Sequence, residues 1–206
     1  MKNWTFKKWN TILGWVVFAI AFITYLSTIE PNFSFWDCGE YISSAVKLEV
    51  THAPGAALFQ LIGAVAAIFG FGDPSKYSVI INAMSALFSA FTILFLFWTI
   101  THLVRRLLNK DFEEVTFTEE ISILFAGVIG ALSFTFSDTF WFSAVEGEVY
   151  SMASMFIALL VWLITKWENE YHEKDNERWL ILIFFITVLS VGVHMMCMLA
   201  IPAVCL

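Results

Sequence analysis

The residues of this 206-residue chain that could do chemistry fall in three short stretches. The first is Trp36-Asp37-Cys38-Gly39-Glu40-Tyr41, followed by His52. The second runs from Asp138 through Trp141, Glu146 and Glu148 to Tyr150, and the third is Gly192-Val193-His194. A carboxylate held beside a second carboxylate can act as a general base. A histidine, neutral or protonated, can bind a phosphate group. The same residues have plainer readings. Asp37 and Glu40, three apart, fit a capping-box-like helix start. His52-Ala53-Pro54-Gly55 fits a turn with Pro54 at the first position of a helix. Asp138 and Glu146 fit loop carboxylates in interfacial water, and His194 fits a satisfied buried histidine. The three cysteines, Cys38, Cys197 and Cys205, have no metal-ligand spacing and form no disulfide framework. No metal is expected.

The elements that must position these residues are membrane helices. Hydrophobic residues make up 59% of the chain and charged residues 14%, against about 25% charged in an ordinary soluble domain. Mean hydropathy is +0.77. Such a chain cannot cover itself with polar surface, which argues against a soluble enzyme or a nucleic-acid module. Asp, Glu, Lys and Arg are missing between Lys8 and Glu30, Glu49 and Asp73, Lys76 and Arg105, Glu120 and Asp138, Glu148 and Lys166, and beyond Arg178. A helix crossing the hydrocarbon core needs roughly 20 apolar residues, so each gap is long enough to be weighed as a span.

The 11 basic residues choose between topologies, because Lys and Arg collect on the cytoplasmic side. With all six gaps spanning and the N-terminus inside, four basic residues are cytoplasmic and seven are not. If Val50 to Gly72 does not cross, the division is nine against two, with only Lys47 and Lys76 outside. That segment opens on His52-Ala53-Pro54-Gly55 and closes on Gly70-Phe71-Gly72-Asp73-Pro74, both turn-forming clusters. It is read as an interfacial helix over about residues 54–71, with an ordinary span as the alternative. The expected spans are then 11–29, 77–101, 121–137, 149–165 and 179–202. The first is an uncleaved span rather than a signal peptide, since Tyr25-Leu26-Ser27-Thr28 offers no small-x-small cleavage site. The cytoplasmic connectors, His102 to Glu120 and Lys166 to Arg178, mix both signs of charge and read as solvated links. This topology brings the carboxylates, His52, His194 and several aromatics to one outer face. Carboxylates beside a membrane core are costly and are candidates for function.

Trp36-Asp37-Cys38-Gly39-Glu40, His52-Ala53-Pro54-Gly55-Ala56-Ala57-Leu58-Phe59, the stretch Phe140 to Tyr150, and Gly192-Val193-His194 together resemble, in order, signatures of GT-C glycosyltransferases. The nearest branch is the protein O-mannosyltransferase-like one, and the likeness covers nearly the whole chain. It implies an all-α polytopic membrane protein, a GT-C-like transmembrane helix bundle with juxtamembrane helices in the first outer loop, residues 1–206 being its N-terminal part. It implies a polyprenyl-phosphate sugar as donor, with mannose the expected sugar and no further cofactor. The acceptor is a Ser or Thr of an exported protein, reached on the periplasmic side of the inner membrane, with the N-terminus cytoplasmic. Carried over by position, Asp37 is the catalytic base and Glu40 its partner. Many relatives place the Asp and Glu adjacent, so the choice of base between these two stays open. Glu148, Tyr150, His52, His194 and Trp36 fall to binding substrate. The chain stops in an apolar helix and has few outer cations, so it is expected to be part of a longer protein and inactive alone. The rival functions are a membrane transporter and a non-catalytic membrane scaffold.

Overall fold

The computed structural model describes residues 2–108 and 115–201. Lys110, Asp111, Glu113 and Glu114 of the first connector, Cys205, and Pro202 at the end of the expected last span lie outside the described residues. Every regular element among the described residues is helical: α1 (Lys2–Ser27), α2 (Cys38–Lys47), α3 (Ala57–Ala67), α4 (Tyr77–Leu107), α5 (Phe117–Thr135), α6 (Asp138–Ala144), α7 (Val149–Glu170) and α8 (Glu177–Val191), with short 3₁₀ turns at Ile68–Gly70, Pro74–Lys76 and Met195–Ala200. The chain is an all-α polytopic membrane protein: α1, α4, α5 and α7 are each long and apolar enough to cross a membrane.

The 31-residue α4 is the axis of the bundle, roughly 46 Å long at 1.5 Å per residue. It packs against α1, α5 and α7. Small side chains on it (Ser85, Ala86, Ser89 and Ala90, all buried) allow the neighbours to come close. Gly127 of α5 serves the same purpose, because a Cβ there would lie 2.5 Å from Thr101 Cγ2 and 2.8 Å from Phe97 Cε2. Helix directions follow from side-chain bonds. Trp98 Nε1 donates to Asn10 O at 3.3 Å, while Asn82 Nδ2 donates to Glu30 O at 2.7 Å. So α1 and α4 run antiparallel, and the basic residues at the start of α1 and the end of α4 share one end of the bundle.

Between α1 and α4 the chain builds two short helices. One face of α2, carrying Cys38, Tyr41, Ile42, Ser44 and Ala45, is buried. It meets α3 so closely that a Cβ on Gly63 would stand 2.9 Å from Ala45 Cβ. The helical stretch Ala57–Gly70 is roughly 21 Å long, shorter than a hydrocarbon core of about 30 Å. It buries Phe59, Gln60, Gly63 and Ala67 and exposes Leu61, Val65, Ile68 and Phe69. An apolar outer face of this kind suits contact with lipid.

The helices depart from expectation at two places. Pro54 does not open α3: the Ala53–Pro54 peptide is cis, Gly55 N–H donates to His52 O at 2.8 Å, and helix begins only at Ala57. The continuous helix expected over 179–202 instead stops at Val191 and resumes as a 3₁₀ turn at Met195. The stop has a local cause. Leu58 N–H, one of the unpaired donors in the first turn of α3, bonds Gly192 O at 2.8 Å. The start of α3 and the end of α8 thus satisfy each other, and a Cβ at 192 would stand 3.3 Å from Leu189 O and in contact with Leu58 Cβ at 3.4 Å.

Candidate active site

The carboxylates, His52 and Tyr41 meet where α2, the 48–56 turn and the start of α7 come together. Asp37 occupies the N-cap position of α2 but has helical backbone angles, φ −84° and ψ −8°, and makes no side-chain bond to the helix. Capping needs an extended residue there, so the alternative reading of the pair as a capping box does not hold. Glu40 turns the other way. Its Oε1 accepts the His52 backbone N–H at 2.7 Å and its Oε2 meets His52 Nδ1 at 3.0 Å. The far nitrogen, His52 Nε2, faces Asp37 Oδ2 at 3.9 Å. A Glu40–His52–Asp37 chain results, with all three side chains about half exposed. Bonds from the His52 amide and ring lower the Glu40 pKa, and the same carboxylate raises that of His52 above its ordinary 6.5.

Although the sequence has no metal-ligand spacing, folding brings ligand atoms of Asp37, Glu40 and His52 within 4.8 Å of one another. Two carboxylates and an imidazole are a reasonable donor set for a divalent cation. Both Glu40 oxygens are already engaged by His52, however, and a cation would have to displace those bonds. The arrangement the side chains adopt is the Glu40–His52 hydrogen-bonded pair with Asp37 facing its far nitrogen at 3.9 Å.

Glu148 lies under this chain, 6% exposed, at the N-cap of α7. Burial, and then the nearby charges of Glu146 and Asp37, push its pKa up to about 7. Tyr41 sits at the centre. Its ring is 5.8 Å from that of His52 and 5.6 Å from that of Phe59. Burial first, with the charges of Asp37, Glu148, Tyr150 and Glu40 adding to it, pushes its pKa up to about 12. The Tyr150 ring in turn lies 5.4 Å from that of His194, tilted at 58°. His194 is not on an apolar helix as expected. It stands in the break after α8, where Nδ1 accepts the Met196 N–H at 3.0 Å. The break at Gly192 is what delivers it to Tyr150.

Asp37, Glu40, His52, Glu148, Tyr150 and His194 are therefore brought to one end of the bundle. Trp36 is not packed into the group: it is 89% exposed and held at φ 67°. Asp138 is exposed in the first turn of α6. Glu146 departs from its reading as a water-bathed loop residue. It is 4% exposed, hydrogen-bonded to Ser34, and its pKa is raised by burial. Sequence reasoning named Tyr41 and Glu146 but gave Tyr41 no role and read Glu146 as a loop carboxylate. Tyr41 carried a usable signal, lying one helical turn after Asp37. Glu146 carried none, since its burial depends on the 30–34 loop folding over it. That loop is pinned by Asn82, fully buried on α4, which donates to Glu30 O at 2.7 Å and Asn32 O at 3.0 Å.

These features define a polytopic helical membrane protein with a carboxylate–imidazole–tyrosine site at one end of its bundle. The chain belongs to the family described as the Protein O-mannosyl-transferase TMEM260 N-terminal domain, whose model matches residues 37–206. It is 30% identical over 167 residues to Protein O-mannosyl-transferase tmem260 of Dictyostelium discoideum, covering 80% of this chain and 18% of that protein. It is 29% identical over 163 residues to Protein O-mannosyl-transferase TMEM260 of Mus musculus, covering 79% of this chain and 20% of that one. The chain thus spans about one fifth of the length of these curated relatives. No solved structure matches it.

Proposed function

We propose that this chain carries the base-bearing site of a GT-C-type membrane glycosyltransferase. The reaction moves mannose from a polyprenyl-phosphate donor to a Ser or Thr hydroxyl of an exported protein. It takes place on the periplasmic side of the inner membrane, with the N-terminus of the chain cytoplasmic. The family and the names of its relatives support transfer of mannose to protein. The observation that carries the assignment of the site is the Glu40–His52–Asp37 chain, open to solvent at the mouth of the carboxylate cluster.

Within this reading the two acids divide their roles by geometry. Both Glu40 oxygens are occupied by His52. Asp37 makes no cap bond and presents its carboxylate outward, so it is the base and Glu40 the positioning residue. The acceptor hydroxyl gives its proton to Asp37 as its oxygen bonds the anomeric carbon. The bond from that carbon to the phosphate oxygen breaks, and its electron pair leaves with the lipid phosphate. His52, whose pKa Glu40 raises, faces Asp37 and, when protonated, adds a positive charge where the phosphate charge develops. Glu148, buried, and Tyr150 and His194 beside it offer hydrogen bonds to the sugar or the acceptor, while Trp36 offers an exposed ring face beside the base.

The test is mass spectrometry of exported proteins from cells carrying the full-length protein or its variants. Asp37→Asn is expected to remove the added hexose, with membrane insertion unchanged. Glu40→Gln is expected to weaken transfer without abolishing it. Full transfer by Asp37→Asn would remove that residue from the mechanism.

A further inference from the structure

The two histidines at the Asp37 end of the bundle are held in opposite ways. His52 turns both ring nitrogens toward carboxylate oxygens, Nδ1 to Glu40 at 3.0 Å and Nε2 to Asp37 at 3.9 Å, which favours a charged ring. His194 meets a donor instead. Its Nδ1 accepts the Met196 N–H at 3.0 Å, so the neutral ring carries its proton on Nε2. That second nitrogen has no hydrogen-bond partner among the described residues and is left as a donor. The ring is also fixed in place. Val193 and Cys197, both fully buried near it, belong to the core that includes Val149, Met152 and Ala153 of α7. The Tyr150 ring, 5.4 Å away, flanks the imidazole.

Glu148 is the third member of this group. It occupies the N-cap position of α7 and is only 6% exposed, yet its carboxyl makes no bond to the helix and none to another described residue. A polar group so little exposed is costly to leave unbonded. A ligand that reaches it relieves that cost.

Charge then orients the ligand. A carboxylate at Glu148 repels a phosphate, whereas a protonated His52 attracts one. The phosphate of a lipid-linked sugar belongs on the His52 side and the ring attached to it on the Glu148 side. A protein acceptor needs the open rim, where Trp36 and Asp37 are exposed, and the nearly buried Glu148 suits a smaller group. A carboxyl, a phenol and an imidazole N–H together offer donors and acceptors, as ring hydroxyls require, beside two aromatic faces.

We infer that Glu148, Tyr150 and His194 form the sugar subsite of the donor, with His194 Nε2 donating to one hydroxyl of the sugar ring. This assignment rests on the reading of the Asp37 cluster as a mannosyl-transfer site, and it narrows the role of these three residues to the sugar alone.

The full-length protein in detergent is titrated, without acceptor, with the mannosyl phosphate of a short isoprenoid alcohol and with the same isoprenyl phosphate lacking sugar. Binding is read by calorimetry. Wild type is expected to bind the sugar-bearing compound at least tenfold more tightly. His194→Asn keeps an acceptor for the Met196 N–H and loses the far nitrogen, so the turn is preserved while the donor is removed. That variant and Tyr150→Phe are expected to lose at least tenfold in binding of the sugar-bearing compound and to bind the sugar-free phosphate as wild type does. Of donors lacking one ring hydroxyl each, one is expected to bind wild type at least tenfold more weakly than the parent and His194→Asn no more weakly. Sugar preference undiminished in both variants would overturn the subsite, and would assign the residues to the acceptor if transfer fell. A matching loss for the sugar-free phosphate would overturn it by placing His194 on the phosphate. In both of those cases wild type still prefers the sugar-bearing compound, and the mannosyl-transfer reading survives. Wild type without that preference would overturn the reading and the subsite together.

Discussion

Glu40 holds His52 with both oxygens of one carboxylate, one on the backbone N–H at 2.7 Å and the other at Nδ1 at 3.0 Å. The two residues are twelve apart, one on the first turn of α2 and the other in the turn before α3. A single side chain therefore sets both the path of the 48–56 segment and the direction of the imidazole. With Nδ1 fixed, Nε2 can only face Asp37.

That grip predicts the titration of His52. Its pKa is raised by Glu40, so the stabilising pair is complete below 6.5 and is lost as pH rises through the higher folded value. The Glu40 pKa is lowered by the same pair, so its share is present above 4.5 and lost as pH falls through the lower folded value. In Glu40→Gln the His52 pKa is expected to fall back toward 6.5, read from imidazole NMR shifts against pH. An unmoved value would show that Glu40 does not hold the ring.

Glu148 predicts a slope in stability of the same sign as that of His52. Its folded pKa of about 7 lies above its ordinary 4.5. Between those values the folded state binds more protons than the unfolded one, so stability falls as pH rises and then levels off above about 7. Thermal unfolding in detergent across pH 4.5–8 checks this. Glu148→Gln is expected to flatten the slope, whereas Asp138→Asn, at an exposed position, is expected to leave it in place.

Gly147 sits between the two buried acids with no room for a side chain. A Cβ there would stand 2.9 Å from Asn82 Oδ1, 3.0 Å from Ile81 Cγ2 and 3.1 Å from Ile42 Cγ1. Gly147→Ala is expected to cost about 1–3 kcal/mol through overpacking. It is also expected to loosen the loop that Asn82 ties down, seen as faster amide exchange at Glu30 and Asn32. A neutral unfolding midpoint would show that the junction can give.

What could be read in the sequence was what depends on charge placement and apolar run length. The sparse ionisable residues define the ends of α1, α4, α5 and α7, and the turn clusters around His52 and Gly70 mark Ala57–Gly70 as too short to cross. Order along the chain was enough to gather Asp37, Glu40, His52, Glu148, Tyr150 and His194 at one end. What stayed hidden depends on contacts between distant segments. The stop at Gly192 exists because Leu58 needs an acceptor, and the burial of Glu146 exists because Ser34 folds across it. The use of Glu40 on His52 rather than on its own helix start is of the same kind. The local pattern favours a capping box, and a bond to a residue twelve positions away wins.

Trp36 supplies the last prediction. An indole held at φ 67° is in a left-handed conformation that disfavours bulky residues by roughly 1–2 kcal/mol. With 89% of its surface exposed it recovers little of that through packing. Backbone strain beside the proposed base is the kind of cost retained for a site. Glycine takes the same backbone angles without steric penalty. Trp36→Gly is therefore expected to keep or raise the unfolding midpoint while lowering sugar transfer by the full-length protein at least tenfold. Trp36→Phe, which keeps a ring face, is expected to retain most of the activity. If Trp36→Gly transferred sugar normally, the exposed ring would have no part in binding. If it unfolded at a markedly lower temperature, the indole would be a structural element, and the strain at 36 would need another explanation.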